Sequence, residues 1–255
     1  MSSKRRIPLK SISLIAFDLN RTLVKRGEAF ERSFIESVSE MLGRWETEDR
    51  ERLPDVLLHK YKEERESFFR GKNAAAAEKS ELQREWLKQA VAGLPLPADD
   101  RFLTALQARI SELQTHYASW NEGAEEALMW AKEAAQVAII TDMPRRRALA
   151  IWSRLGMNRY VKETMVFSPN RGSAAHPADK SSGKLYADVC RALSLRPERC
   201  VMVGDSYLRD VAGARKAGWR AVWLKPSRES RRLPSRARLV PTVKTLKHLP
   251  SRFQP

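Results

Sequence analysis

Short runs apolar at every position recur at residues 14–17, 137–140, 165–167, 201–203 and 221–224, each closed by a polar residue or a glycine. Unbroken runs this short, several of them β-branched, predict strands covered on both faces. Between the later runs the spacing becomes helical: 145–155 ahead of Gly156, 184–193, and 210–217 ahead of Gly218, with each glycine suited to a left-handed helix end. Strands alternating with helices predict an α/β unit around a parallel sheet.

The stretch between the first two runs has a different period. Phe30, Phe34, Val38 and Leu42 repeat at helical spacing, as do Phe102, Leu106, Ile110, Leu113 and Tyr117. Phe68, Phe69, Trp86, Leu87 and Val91 mark helices between them, and residues 93–97 break the pattern. Residues 25–124 therefore read as an inserted all-helical unit, and residues 1–24 with 125–255 as the α/β core. The aromatic residues of the insert are expected to pack its interior.

A chain of 255 residues can hold both units, and its hydrophobic fraction of 42% and charged fraction of 31% are those of a globular protein. No run is long enough to span a bilayer, which argues against a membrane role. The basic start runs through Lys10 into Asp18, a poor match to a signal peptide. Two cysteines, Cys190 and Cys200, cannot build a disulfide framework and lack metal-ligand spacing with the four histidines, His59, His116, His176 and His248. Reduced, buried thiols and a cytoplasmic location are the expectation.

A net charge of +16 implies attraction to anions. Much of the excess sits near the ends, at Lys4, Arg5, Arg6 and Lys10 and at Arg228, Arg231, Arg232, Arg236, Arg238, Lys244, Lys247 and Arg252. Nucleic acid is one partner this would suit, but the basic stretches lack interleaved aromatics and any reading motif. A solvated basic face is the alternative.

Candidate chemistry collects at the strand ends. The first run stops on Asp18, with Asn20 two residues on and Thr22 two further. In an open α/β sheet the carboxyl ends of the strands form the ligand crevice, so Asp18 is placed to act as a nucleophile. Thr141 ends the second run, ahead of a helix whose first amides could face an anion. Lys180 follows the third run, and the fourth ends at Gly204-Asp205, with Asp210 at the predicted start of a helix. Three carboxylates, a hydroxyl and an ammonium would thus surround one crevice. Such an oxygen donor set suits a hard cation such as Mg²⁺, which binds through carboxylates and substrate phosphate.

In order and spacing these residues resemble the four motifs of the haloacid dehalogenase-like hydrolase superfamily, in organisation over residues 11–226. Asp18-Leu19-Asn20-Arg21-Thr22 is similar to its Asp-x-Asp-x-Thr motif except at the second aspartate. Thr141 and Lys180 match the second and third motifs, with Ser181 where a proline often follows the lysine. The last motif matches Gly204-Asp205-Ser206-Tyr207-Leu208-Arg209-Asp210, continuing through Ala212-Gly213-Ala214-Arg215-Lys216-Ala217-Gly218. The resemblance implies a Rossmann-like core with a helical cap of the C1 type, inserted after the first motif. It implies that Asp18 attacks phosphorus to form an aspartyl-phosphate while Thr141 and Lys180 hold phosphoryl oxygens. Mg²⁺ would be held by Asp18, the backbone carbonyl of Asn20 and Asp205, with Asp210 a ligand or an orienter of ligands.

Asn20 alters the expectation. In phosphatases of the family the second aspartate protonates the leaving group and then activates water, and an amide does neither. Three readings follow: a slow Mg²⁺-dependent phosphatase of small phosphorylated substrates, a phosphate-binding and metal-binding regulatory protein, or an enzyme similar to the dehalogenases and phosphonatases, which also lack that aspartate. The intact pair Asp205 and Asp210 stands against dehalogenase chemistry, which resembles this site in its nucleophile but works without metal.

Overall fold

A computed structural model describes residues 6–25, 28–43, 51–70, 79–96, 99–169, 179–225 and 239–254. Lys4, Arg5, His176, Arg228, Arg231, Arg232, Arg236 and Arg238 lie outside these, as does the side chain of Phe69. The chain divides into two compact units, Met1–Arg26 with Ala118–Pro255, and Gly27–Tyr117.

The first unit is a six-stranded parallel sheet. After the two-residue strand β1 (Ile7–Pro8), its members in chain order are β2 (Leu14–Phe17), β3 (Gln136–Ile140), β4 (Val166–Phe167), β5 (Cys200–Gly204), β6 (Arg220–Leu224) and β7 (Thr242–Val243). They lie side by side as β4-β3-β2-β5-β6-β7. β1 pairs separately with the last strand, β8 (Phe253–Gln254). The short strands β1, β7 and β8 carry too few residues for a periodic signal, and the sequence pattern missed them.

The unbroken apolar runs are explained by burial on two sides. Ile15, Phe17, Val137, Ile139, Val201 and Val203 pack on one face with Ala127, Leu128 and Ala131. Leu14, Ala16, Ala138, Ile140, Cys200 and Met202 pack on the other with Leu185, Tyr186 and Val189. Successive strand residues point to opposite faces, so a strand needs apolar residues at every position only when both are covered. The first face is covered by α5 (Ala124–Ala134) and α6 (Arg145–Arg154), the second by α7 (Lys184–Leu193) and α8 (Gly213–Lys216). Gly156 and Gly218 have φ of 65° and 82°, the left-handed backbone expected of them. The predicted helix at 210–217 differs: a six-residue π-helical turn, Tyr207–Ala212, precedes α8.

The second unit contains α1 (Glu28–Leu42), α2 (Leu53–Arg70), α3 (Lys79–Val91) and α4 (Asp100–His116). Phe34, Val38 and Leu42 of α1 meet Leu57 and Tyr61 of α2, Trp86 and Val91 of α3, and Leu103, Leu106 and Ile110 of α4 in one apolar core. A fork of hydrogen bonds from Arg109 to Glu40, at 2.6 and 2.7 Å, ties α4 to α1 outside that core. Asp99 caps α4 by accepting from the Phe102 amide at 2.8 Å.

Residues 118–123 belong to the sheet unit because the chain returns beside the segment on which it left. Lys25 N donates to Ser119 O at 2.9 Å and Asn121 N to Leu23 O at 2.8 Å. Val24 forms an antiparallel bridge with Trp120. No helix among the described residues is long and apolar enough to cross a membrane.

Leu103 is fully buried in the helical core. Leu103→Ala is expected to cost about 2–5 kcal/mol, read as a fall in the urea midpoint of unfolding.

Candidate active site

β2 is the first strand of the main sheet; the chain runs from it through β3 to β4 on one side and then crosses to β5, β6 and β7 on the other, so the direction reverses about β2. Loops diverging from that point open a crevice at its carboxyl end. Asp18 is the next residue, and its amide extends the ladder by donating to Val203 O at 2.9 Å. Asp205 follows β5, and its backbone carbonyl accepts from the Trp223 indole at 2.9 Å. Thr141 follows β3, its amide bound to Phe167 O at 3.0 Å.

Lys180 joins these strand ends to the last motif. Its side chain is 1% exposed, and its Nζ donates to Asp18 Oδ1 at 2.5 Å and to Asp210 Oδ1 at 2.7 Å. Two glycines permit that geometry. A Cβ at Gly213 would lie 1.8 Å from the Lys180 carbonyl oxygen, and one at Gly204 would lie 2.3 Å from Asp210 Cγ. The π-helical turn carries Asp210 back to the end of β5, where its Oδ2 accepts from the Ser206 amide at 2.8 Å.

Asp18, Asp205 and Asp210 bring carboxylate oxygens within 4.8 Å of one another. All three are buried, and Asp205 Oδ1 has no hydrogen-bond partner among the described residues. Asp18 and Asp210 share one buried ammonium while Asp205 pairs with the half-exposed Arg21, and this distribution sets the local electrostatics. Burial pushes the Asp18 carboxyl up to about 7, the Lys180 charge opposing the rise and Asp210 and Asp205 adding to it. Burial alone would draw the Lys180 ammonium down, but the charges of Asp18 and Asp210 outweigh it and hold the group above its ordinary range. Burial likewise raises Asp205, against the pull of Arg21. A compact all-oxygen donor set with excess negative charge and an unpartnered oxygen fits a hard divalent cation.

Thr141 is buried, but its Oγ1 accepts from the Met143 amide at 3.2 Å, and α6 begins only at Arg145. Its link to Lys180 runs through the neighbouring Asp142, whose Oδ1 accepts from the Lys180 backbone amide at 3.3 Å. Asn20 is exposed and forms a bridge with Val24. Thr22 is fully buried, with no partner for its Oγ1 among the described residues.

Sequence reading missed three neighbours of these groups. Arg21 Nε pairs with Asp205 Oδ2 at 2.8 Å. Arg209 reaches Asp142 Oδ2 at 3.3 Å and Ser206 Oγ at 3.2 Å. Asp142 adjoins Thr141, so only its position in the chain hinted at a role. The other two are long, basic and common in this chain, and nothing in their spacing set them apart.

A family model described as haloacid dehalogenase-like hydrolase matches residues 12–218, and the chain belongs to that family. A glyceraldehyde 3-phosphate phosphatase of Pyrococcus furiosus is 28% identical over 94 residues, 37% of each chain. A ribulose-1,5-bisphosphate 5-phosphatase of Halopiger xanaduensis is 30% identical over 99 residues, 39% of each. The matched part is thus well under half the length of these relatives. Among solved structures, the magnesium-bound form of YfnB from Bacillus subtilis has a TM-score of 0.73 at 16% identity, over 96% of this chain and 99% of that one. The L-2-haloacid dehalogenase of Xanthobacter autotrophicus has a TM-score of 0.58 at 19% identity, over 94% and 97%. These likenesses show the fold.

Removing the ammonium while keeping its bulk leaves two buried carboxylates facing each other. In metal-free protein, Lys180→Met is expected to lower stability by about 3–5 kcal/mol, measured by urea denaturation in the presence of a chelator.

Proposed function

We propose that this hydrolase is a Mg²⁺-dependent phosphatase of small phosphorylated substrates, slowed by the amide at Asn20, with Gly27–Tyr117 as its C1-type cap. The observation that carries the reading is Lys180 bonded to both Asp18 and Asp210 within a buried carboxylate cluster. The phosphatase names of the two sequence relatives support it.

In this reading Asp18 attacks phosphorus, a P–O bond forms to its carboxylate, and the bond to the leaving oxygen breaks. Lys180 offsets part of the cost of ionising the buried nucleophile and, with Thr141, donates to the phosphoryl oxygens as charge builds on them. Mg²⁺, held by Asp18, the Asn20 carbonyl and Asp205, with Asp210 fixing the arrangement, would supply positive charge that lets an anionic nucleophile approach an anionic phosphate. Asn20 carries no ionisable proton, so the departing oxygen takes its proton from solvent. Water must then attack the aspartyl-phosphate without a neighbouring base. Phosphate leaves, and the Asp18 carboxylate is restored. The missing acid and base step is worth about 10²–10⁴ in rate. Two buried, unbridged cysteines support a reducing, cytoplasmic setting.

The exposed amide of Asn20 also favours a second reading, a phosphate-binding regulatory protein that does not turn over. One experiment separates them. With Mg²⁺ present, Asn20→Asp is expected to raise hydrolysis of an aryl phosphate about 10²–10⁴-fold over wild type, and equal inactivity of both at full Mg²⁺ binding would favour the binder. Asp18→Asn, and chelation of the metal, are each expected to abolish turnover in the same assay. Activity surviving either would sink the proposed chemistry.

A further inference from the structure

Arg21 lies inside the first motif yet performs none of the steps above. Its backbone is left-handed, with φ of 65°, a conformation that costs a side-chain-bearing residue about 1–3 kcal/mol. The surroundings enforce it: Arg21 N donates to Val24 O at 2.8 Å, and the Asn121 amide donates to the carbonyls of Arg21 and Thr22 at 3.3 and 2.9 Å. The side chain therefore departs from a rigid turn. It is 39% exposed and, among the described residues, pairs through Nε with Asp205. A guanidinium has five N–H donors in a planar fork, so one contact through Nε leaves it donors for a ligand.

Arg21 borders an open pocket of about 240 Å³ in the sheet unit, which Asp205, Leu224 and Lys244 also line. Other polar groups of this pocket are committed: Asn121 to the Arg21 turn, Glu122 to Lys247 at 3.2 Å, and Thr245 to His248 at 3.0 Å. Lys244, next to β7, is exposed and forms no ion pair among the described residues. Arg21 and Lys244 are the cationic groups that line the pocket, alongside the carboxylates of Asp205 and Glu122 and the apolar side chain of Leu224. Asp205 is the shared wall: one oxygen meets Arg21, and its carboxylate belongs to the cluster around Asp18.

We infer that this pocket is a subsite for a second anionic group, so that the preferred ligand is a small phosphomonoester whose carbon chain ends in a carboxylate or another phosphate, gripped by Arg21 and Lys244. The inference rests on the phosphatase reading of the Asp18 site. A planar guanidinium fork beside a mobile ammonium matches either group, the fork giving direction and the ammonium charge.

The test uses equilibrium binding, which needs no turnover. With Mg²⁺ present, calorimetry compares propylphosphonate with phosphonopropionate and with propylene bisphosphonate on the full chain. At least one doubly anionic ligand is expected to bind about tenfold or more tightly than propylphosphonate, as contacts to charged groups warrant; which of them gains most identifies the second group. Lys244→Ala is expected to shrink that gap several-fold, and Arg21→Gly, which suits the left-handed turn, to remove most of it. Lys162→Ala takes the same charge from the β4 edge of the sheet, opposite β7, and is expected to leave the gap intact. Equal affinity for all three ligands, or a gap that Lys162→Ala closes as readily as Lys244→Ala, overturns the subsite and leaves the phosphoryl site standing. Failure of all three to bind overturns both.

Discussion

One buried ammonium organises the candidate active site of this protein. Lys180 bonds Asp18, at the end of β2, and Asp210, in the π-helical turn after β5, so a single side chain joins segments 162 and 30 residues away in sequence. A charge buried this deeply is tolerable only when paired, and its partners are in turn tolerable only because of it. Much local structure follows from that mutual need. The turn at Lys180 packs against Gly213 where no side chain would fit, and Gly204 leaves room for the Asp210 carboxylate. The widened helical turn aims Asp210 at the ammonium instead of leaving it on an outer face.

The same pairing leaves negative charge in excess. Two of the three carboxylates share Lys180, and Asp205 depends on Arg21 from the side and keeps one oxygen unpartnered among the described residues. The cluster thus carries a deficit of positive charge, the condition under which buried carboxylates fit a hard divalent cation. Asn20 does not disturb this balance, because it lies exposed at the turn. Its neutral amide leaves the charge arrangement of Asp18, Lys180, Asp205 and Asp210 intact.

Much of the fold was legible along the chain. The first strand and the 184–193 helix match their predicted limits, and the other main strands differ by a residue at their ends. Those elements have strong period or burial signals because both sheet faces are covered. The two-residue strands β1, β7 and β8 lack any period, and their pairing depends on neighbours distant in sequence. The helix expected from Asp210 onward begins as a π-helical turn because the tertiary need to deliver a carboxylate overrides local spacing. Thr141 shows the same limit from the other side: its hydroxyl was legible as a strand-end donor, but its bond to the Met143 amide was not.

The sequence by itself determined the alternation of strand and helix, the inserted helical stretch, and the identities of Asp18, Lys180, Asp205 and Asp210, since each is a chemical type at a recognisable place on a periodic pattern. Only the tertiary structure decided how they meet. It set Lys180 between two acids, left one Asp205 oxygen without a partner among the described residues, and turned Arg21, in the left-handed conformation, onto Asp205 in a pocket that Lys244 also lines. Periodicity reports which face of an element is buried. Charge pairing is fixed by distances across elements, and no local pattern in a chain records those.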